Sequence, residues 1–208
     1  MLGVEMNKVV LVPHDENWVI EYQYTQNELQ AILGENVIEI CHVGSTAIKG
    51  IYAKPILDVA VIVKSMKEFN FTGMKEADYV YCGYRCDTGK HLFVRQTNEN
   101  IETHHIACYL KDNANYKSTV LFCEYLNKNP EYAKEYSDLK IELALKYSDD
   151  RFEYSKEKSE FIEKILSLVI QGHFDYTEWQ KDLFDDMSIE ELIKKAKCSK
   201  QPRERRKQ

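Results

Sequence analysis

The most apolar run of the chain, ILDVAVIV at 56–63, is continuous rather than alternating, and it is rich in β-branched residues. That is the pattern of a central strand covered on both faces. Only Asp58 interrupts it. Upstream, residues 9–12 read as a short strand ended by Pro13. Trp18, Tyr22, Leu29 and Leu33 then keep one helical face, which Gly34 terminates. Residues 37–41 form another strand. Ser65 and Glu68 are spaced as a capping box, predicting a helix from 65 to about 77. Residues 79–85 and 91–96 flank the turn sequence CDTGK as a hairpin, and 101–110 is a third strand of that group. Strands interleaved with helices in this order imply an α/β (α+β) fold: a mixed sheet with helices packed on it.

From Lys117 the apolar period becomes helical. Residues 119–126 read as one helix. Asn129-Pro130 marks the start of another, whose face is Tyr132, Tyr136, Leu139, Leu143 and Tyr147. Asp150 with Glu153 opens a long helix that Gly172 should end, with Phe152, Ile162, Leu166 and Val169 inward. Residues 175–196 form an acidic amphipathic stretch. The organisation expected is an α/β core over 1–115, a helical part over 116–172 packed on it, and an acidic helix with a basic tail over 173–208.

Composition narrows the class. The 208 residues are 44% apolar and 30% charged, ordinary for a globular protein. No apolar run approaches the length of a membrane helix, and the first residues carry no leader-like pattern. The six cysteines form no paired framework, which points to a reducing, cytoplasmic setting. Cys82 and Cys86 lack a second pair at zinc-site spacing. The net charge of −6 conceals a tail, residues 194–208, with eight Lys/Arg against one Glu. Nucleic acid could meet that tail, but the acidic body argues against a broad binding face.

Candidate chemistry concentrates in HVGSTAIKGIYAKPILDV, residues 42–59. A Gly44-Ser45-Thr46 turn beside a strand carboxylate can cradle a phosphate whose metal is held by Asp58. Lys49 and Lys54 can add positive charge to the same anion. The plainer reading is an ordinary turn with Asp58 accepting hydrogen bonds from its surroundings. Either way a carboxylate in so apolar a strand must meet a cation or several donors.

That stretch, with VPHDENW at 12–18, THHIACYL at 103–110, YLNKNPEYAKEYSDLKIELALKYSDDR at 125–151 and YSKEKSEFIEKIL at 154–166, resembles the GrpB family over roughly residues 10–170. The resemblance implies a nucleotidyltransferase-like fold, and with it a Gly-Ser turn followed by a strand bearing two carboxylates that hold divalent metal against a nucleotide. Here Gly44 and Ser45 match the turn and Asp58 the first carboxylate, but the second position is Ala60. The later strand retains His105 and has Ala107 where the family commonly has a second histidine.

These matches suggest Asp58, His105 and His42 as a mixed oxygen–nitrogen site, better suited to Mn²⁺, Fe²⁺ or Zn²⁺ than to Mg²⁺, so that the cofactor expected is a divalent metal, Mg²⁺ or Mn²⁺ by the resemblance or Zn²⁺ by the ligands. Asp58 and His105 are then the candidate catalytic pair, with Gly44, Ser45, Thr46, Lys54 and Arg95 binding a nucleotide or another phosphorylated small molecule. Nucleotidyl transfer is the first functional reading. A non-catalytic scaffold for protein or RNA and a metal-dependent hydrolase are the alternatives. Strand parity places Thr103, His105, Ala107 and Tyr109 on one face and Glu102, His104, Ile106 and Cys108 on the other.

Overall fold

In the computed structural model, which describes residues 2–97 and 100–171, the apolar run becomes β3 (Leu57–Val63) in the interior of a six-stranded sheet. β2 (Val37–Val43) lies on one side of it and β6 (Ile101–Leu110) on the other. β5 (Lys90–Gln96) and β4 (Tyr79–Arg85) extend the sheet, and β1 (Val4–Glu5) pairs with Ile101 and Glu102. β3 and β6 run parallel while the other pairings are antiparallel, so the sheet is mixed, as the element order implied.

The continuous hydrophobicity of β3 follows from its two covered faces. Leu57, Val59, Val61 and Val63 pack with Leu29 and Leu33 of α1 (Asn17–Leu33) and Met74 of α2 (Phe71–Glu76). Ala60 and Ile62 point the other way, into a core built from α3 (Ala114–Lys128), α4 (Pro130–Lys146) and α6 (Ser159–Ile170). Burying each large aliphatic side chain contributes about 1.5–3 kcal/mol. This one strand therefore supplies much of what anchors the two layers. Asp58 shares the parity of Ala60 and faces the side of α3, α4 and α6.

Several local expectations are corrected. Residues 9–12 form no strand. They run extended, with Val12 bridged to Ala53 and Val9 buried against Leu143 and Tyr154. The helix expected from Ser65 begins only at Phe71, because Ser65 is captured by other partners. The Asn36 side-chain amide bonds both its N–H and its carbonyl, and its hydroxyl accepts from the Lys67 amide. Asn70 caps α2 instead, accepting from the Gly73 amide at 2.9 Å. The helix expected over 119–126 is longer, opened by Asn113, whose side chain accepts from the Asn115 and Tyr116 amides. Pro130 stands at the start of α4 as expected, although the Asn129 side chain reaches back to the Tyr125 carbonyl rather than capping forward.

The single long helix expected after Asp150 is two. Asp150 caps α5 (Arg151–Glu157) through the Glu153 amide, and the chain breaks at Lys158 before α6. The break lets α5 bury Tyr154 while α6 buries Phe161, Ile165 and Val169. Phe152 is left exposed rather than inward. Gly172, the acidic stretch and the basic tail lie outside the described residues. Among the described residues no helix is long and apolar enough to cross a membrane, and Cys41, Cys82, Cys86, Cys108 and Cys123 carry free thiols.

Candidate functional site

The parallel pairing of β3 with β6 sets Asp58 directly beside His105, and the antiparallel pairing with β2 sets Val43, at the start of the Gly-Ser turn, beside Asp58. His105 Nδ1 and Asp58 Oδ1 are 3.1 Å apart. On its other side His105 Nε2 lies 3.2 Å from Glu102 Oε2. Strand parity alone places Glu102 on the opposite face. The β6 register against β5 slips between His104 and Glu102, and this bulge turns Glu102 to the same side as His105. Arg151, the first residue of α5, then hydrogen-bonds Glu102 through Nη1, while its Nη2 lies 3.3 Å from His105 Nε2.

The result is a continuous chain: Arg151, Glu102, His105, Asp58. Burial alone would push the Glu102 carboxyl up, but hydrogen bonds from His105 and Arg151 overcome it and hold the group at about 2. Burial likewise opposes ionisation of Asp58, and the hydrogen bond and charge of His105, then Lys54 and Lys90, bring its carboxyl below the ordinary range. For His105, burial disfavours the charged ring, yet the two carboxylates outweigh it and raise its affinity for protons. The protonated ring donates to both carboxylates. Once Nε2 loses its proton it can accept from Arg151, so the bond from Nδ1 to Asp58 survives either state.

Asp58 borders a cavity of about 370 Å³ between the sheet and the C-terminal helices. Gly44 and Ser45 line it from the turn, Lys54 from the segment before β3, Arg151 and Tyr154 from α5, and Lys158 from the break between α5 and α6. Gly44 has φ 72° and ψ −169°, a region essentially reserved for glycine. A Cβ there would lie 2.4 Å from Asp58 Oδ2. The glycine is what allows the turn to close against the carboxylate.

Lys54, Arg151 and Lys158 share the cavity lining with the carboxylates of Asp58 and Glu163. Lys54 and Lys158 both lie over the buried Tyr154 ring, 5.7 and 4.4 Å from its centroid. Among the described residues neither forms an ion pair with a carboxylate. Burial, then the neighbouring Arg151 and Lys158 charges, lowers the Lys54 ammonium to about 7. Burial lowers Lys158 to about 8, partly opposed by Asp58. Apolar lining comes from Phe122, Ile162 and Leu166.

The structure thus unites Asp58, His105, Gly44, Ser45 and Lys54, and separates the remaining candidates. His42 stacks on Tyr22 of α1 at 4.9 Å and bonds Thr46, on the far face of the sheet from Asp58. Thr46 is buried behind the turn rather than lining the cavity. Arg95 is committed elsewhere: it pairs with Glu28 at 2.7 Å, bonds the Ala77 carbonyl and stacks over Tyr79. The Lys49 amide bonds the Asn127 side chain. Glu102, Arg151, Tyr154 and Lys158 escaped sequence reasoning. Arg151 and Lys158 lie in stretches that carried the family resemblance, where the pattern of Asp150 and Glu153 signalled only the start of a helix.

A protein-held divalent cation does not fit this donor set. Both nitrogens of His105 are engaged by carboxylates or Arg151, His42 is on the wrong face, and no group of three metal-competent side chains occurs among the described residues. Ala60, at the second carboxylate position, is fully buried in register with Ala107 under the C-terminal helices, where an acid would have no partner. Lysine and arginine stand where a metal-binding site would need oxygen ligands.

A mixed sheet with helices on both faces, and a polar cavity beside the start of β3, places the protein among the α/β folds. The family model described as "GrpB protein" matches residues 8–168, and the chain belongs to that family. It is 41% identical to the glutamate-rich protein GrpB of Alkalihalophilus pseudofirmus, over 80% of this chain and 99% of that protein. It is 32% identical to the UPF0157 protein YqkA of Bacillus subtilis, over 74% of this chain but 45% of YqkA. The crystal structure of the conserved protein GrpB from Enterococcus faecalis superposes with a TM-score of 0.72 at 28% identity, covering 80% of this chain and all of that one.

Proposed function

We propose that the protein binds a small phosphorylated ligand, such as a nucleotide, in the cavity beside Asp58, through its own cations rather than through a bound metal. The observation that carries this reading is the convergence of Lys54, Arg151 and Lys158 on one cavity, with two of the three forming no ion pair with a carboxylate among the described residues. Buried cations held over an aromatic ring still lack most of the stabilisation that water provided, and an incoming anion restores it. Asp58 Oδ2, held ionised beside the turn, supplies an acceptor for a hydroxyl of the same ligand. Nucleotidyl transfer by two protein-held metals is not supported by the donor set, so recognition comes before any chemistry in this reading.

Thermal unfolding with inorganic phosphate and with nucleoside monophosphates, in chelator, tests it. Ligand at about 100 times its dissociation constant should add roughly 2.7 kcal/mol of stability, and Lys158→Met should abolish that gain. A gain seen only after Mg²⁺ or Mn²⁺ is added would restore the metal-bridged reading.

A further inference from the structure

We infer that Lys54 is a reactive amine, placed to condense with the carbonyl of a small aldehyde or ketone whose phosphate or carboxylate is held by Arg151 and Lys158. The inference deepens the anion-pocket reading and rests on it.

The backbone at Lys54 is pinned from both sides. Ala53 exchanges two hydrogen bonds of 2.9 Å with Val12, the next residue is Pro55, and the Pro55 carbonyl accepts from the Gly3 amide at 2.7 Å. The Ile56 amide donates to the Lys54 carbonyl at 2.7 Å. The Cα therefore holds its place while the side chain reaches the cavity, as a positioned nucleophile requires. Arg151 and Tyr154 of α5 and Lys158 at the break face the amine, opposed by Asp58 of β3 and Glu102 of β6. Among the described residues no carboxylate forms an ion pair with it to hold the ammonium form.

Two other lysines are excluded by their surroundings. Lys140 is 1% exposed, donates to the Tyr52 carbonyl and does not line the cavity. Lys158 stands at the break between α5 and α6, without the pinned backbone that positions Lys54. Burial and the neighbouring Arg151 and Lys158 charges favour the neutral amine, so near pH 7.5 a far larger share of Lys54 is unprotonated than of an ordinary lysine, about one in a thousand. The step balances without an oxidant or reductant. The nitrogen lone pair attacks the carbonyl carbon, the oxygen collects both amine hydrogens and leaves as water, and an imine remains. Lys158, on the same aromatic ring, can lend the departing hydroxyl a proton and recover it from the nitrogen.

Pyridoxal 5′-phosphate is a suitable probe, because it joins an aldehyde to a phosphate. The full chain would be treated at pH 7.5, reduced with borohydride and mapped by peptide mass. Modification of Lys54 should exceed that of any surface lysine by at least ten-fold and be greater than that of Lys158, inorganic phosphate should protect it, and unphosphorylated pyridoxal should react far less. Lys54→Arg should lose the label. Label on Lys158 or scattered over surface lysines, or label on Lys54 indifferent to phosphate, would overturn the inference. The wild-type map decides this even if the variant fails to fold. An unlabelled Lys54 in a protein that phosphate still stabilises removes the reactive amine alone, whereas no stabilisation by phosphate removes the pocket reading with it.

Discussion

Asp58 stays ionised inside an apolar strand because one neighbour donates to it and another carries charge toward it. His105 supplies the hydrogen bond and Lys54 the field, and together they exceed the penalty of burial. The plainer of the two sequence readings, a carboxylate satisfied by donors, is thus part of the answer, and the cationic cavity is the rest. The signs of the pH dependence differ along the chain of groups. The His105 ring has a raised affinity for protons in the folded state, so its contribution is complete below about pH 6.5 and fades as pH rises through its folded value. The Glu102 contribution is complete above about pH 4.5 and is lost as pH falls toward 2. Urea unfolding of wild type and His105→Gln should therefore show a wider stability gap at pH 6 than at pH 9. An equal gap at both would mean that the ring acts only as a neutral donor.

The elements bring these groups together through register rather than through sequence proximity. The parallel register of β3 against β6 pairs Asp58 with His105, and the bulge in β6 adds Glu102. On the other face β5 and β4 build a separate cluster, in which Arg95 joins Glu28 of α1, the Ala77 carbonyl at the end of α2, and the Tyr79 ring. Arg95 thus staples two helices to the sheet instead of meeting a ligand. Replacing it with Leu should cost about 1–3 kcal/mol by leaving Glu28 with the Tyr79 hydroxyl but no cation. Stabilisation by phosphate, measured relative to each protein's own ligand-free Tm, should be unchanged. Loss of that stabilisation in a folded Arg95→Leu protein would return Arg95 to the binding site.

For the whole molecule, the cavity is a place where stability is given up for recognition. Lys54 and Lys158 hold protons less tightly folded than unfolded, so their burden on the fold grows as pH falls from about 10 through their folded values near 7 and 8. Lys158→Met should accordingly raise Tm at pH 7, by about 2–4 °C for each kcal/mol regained at this size, and raise it less at pH 10. The same variant should lose stabilisation by phosphate. By the same linkage, binding an anion at pH 8 should take up protons, which calorimetry in buffers of different ionisation heat would register.

What the sequence determined by itself was set by local chemistry and period. The two-sided hydrophobicity of residues 56–63 required a covered strand, 101–110 was legible as a strand to its ends, and Asp58 in that apolar context announced a polar site. The family resemblance was legible in dispersed motifs from 12 to 166. What only the tertiary structure decided depended on contacts between distant segments. Asn36 held Ser65 out of its predicted helix, and a break at Lys158 split the helix after Asp150 so that Tyr154 and Phe161 could both be buried. Strand parity could not foresee the bulge that turned Glu102 toward His105. Nor could linear spacing show that Arg151 and Lys158, about a hundred residues from Lys54, would share a cavity with it, since their positions follow from how α5 and α6 pack across β3 and β6.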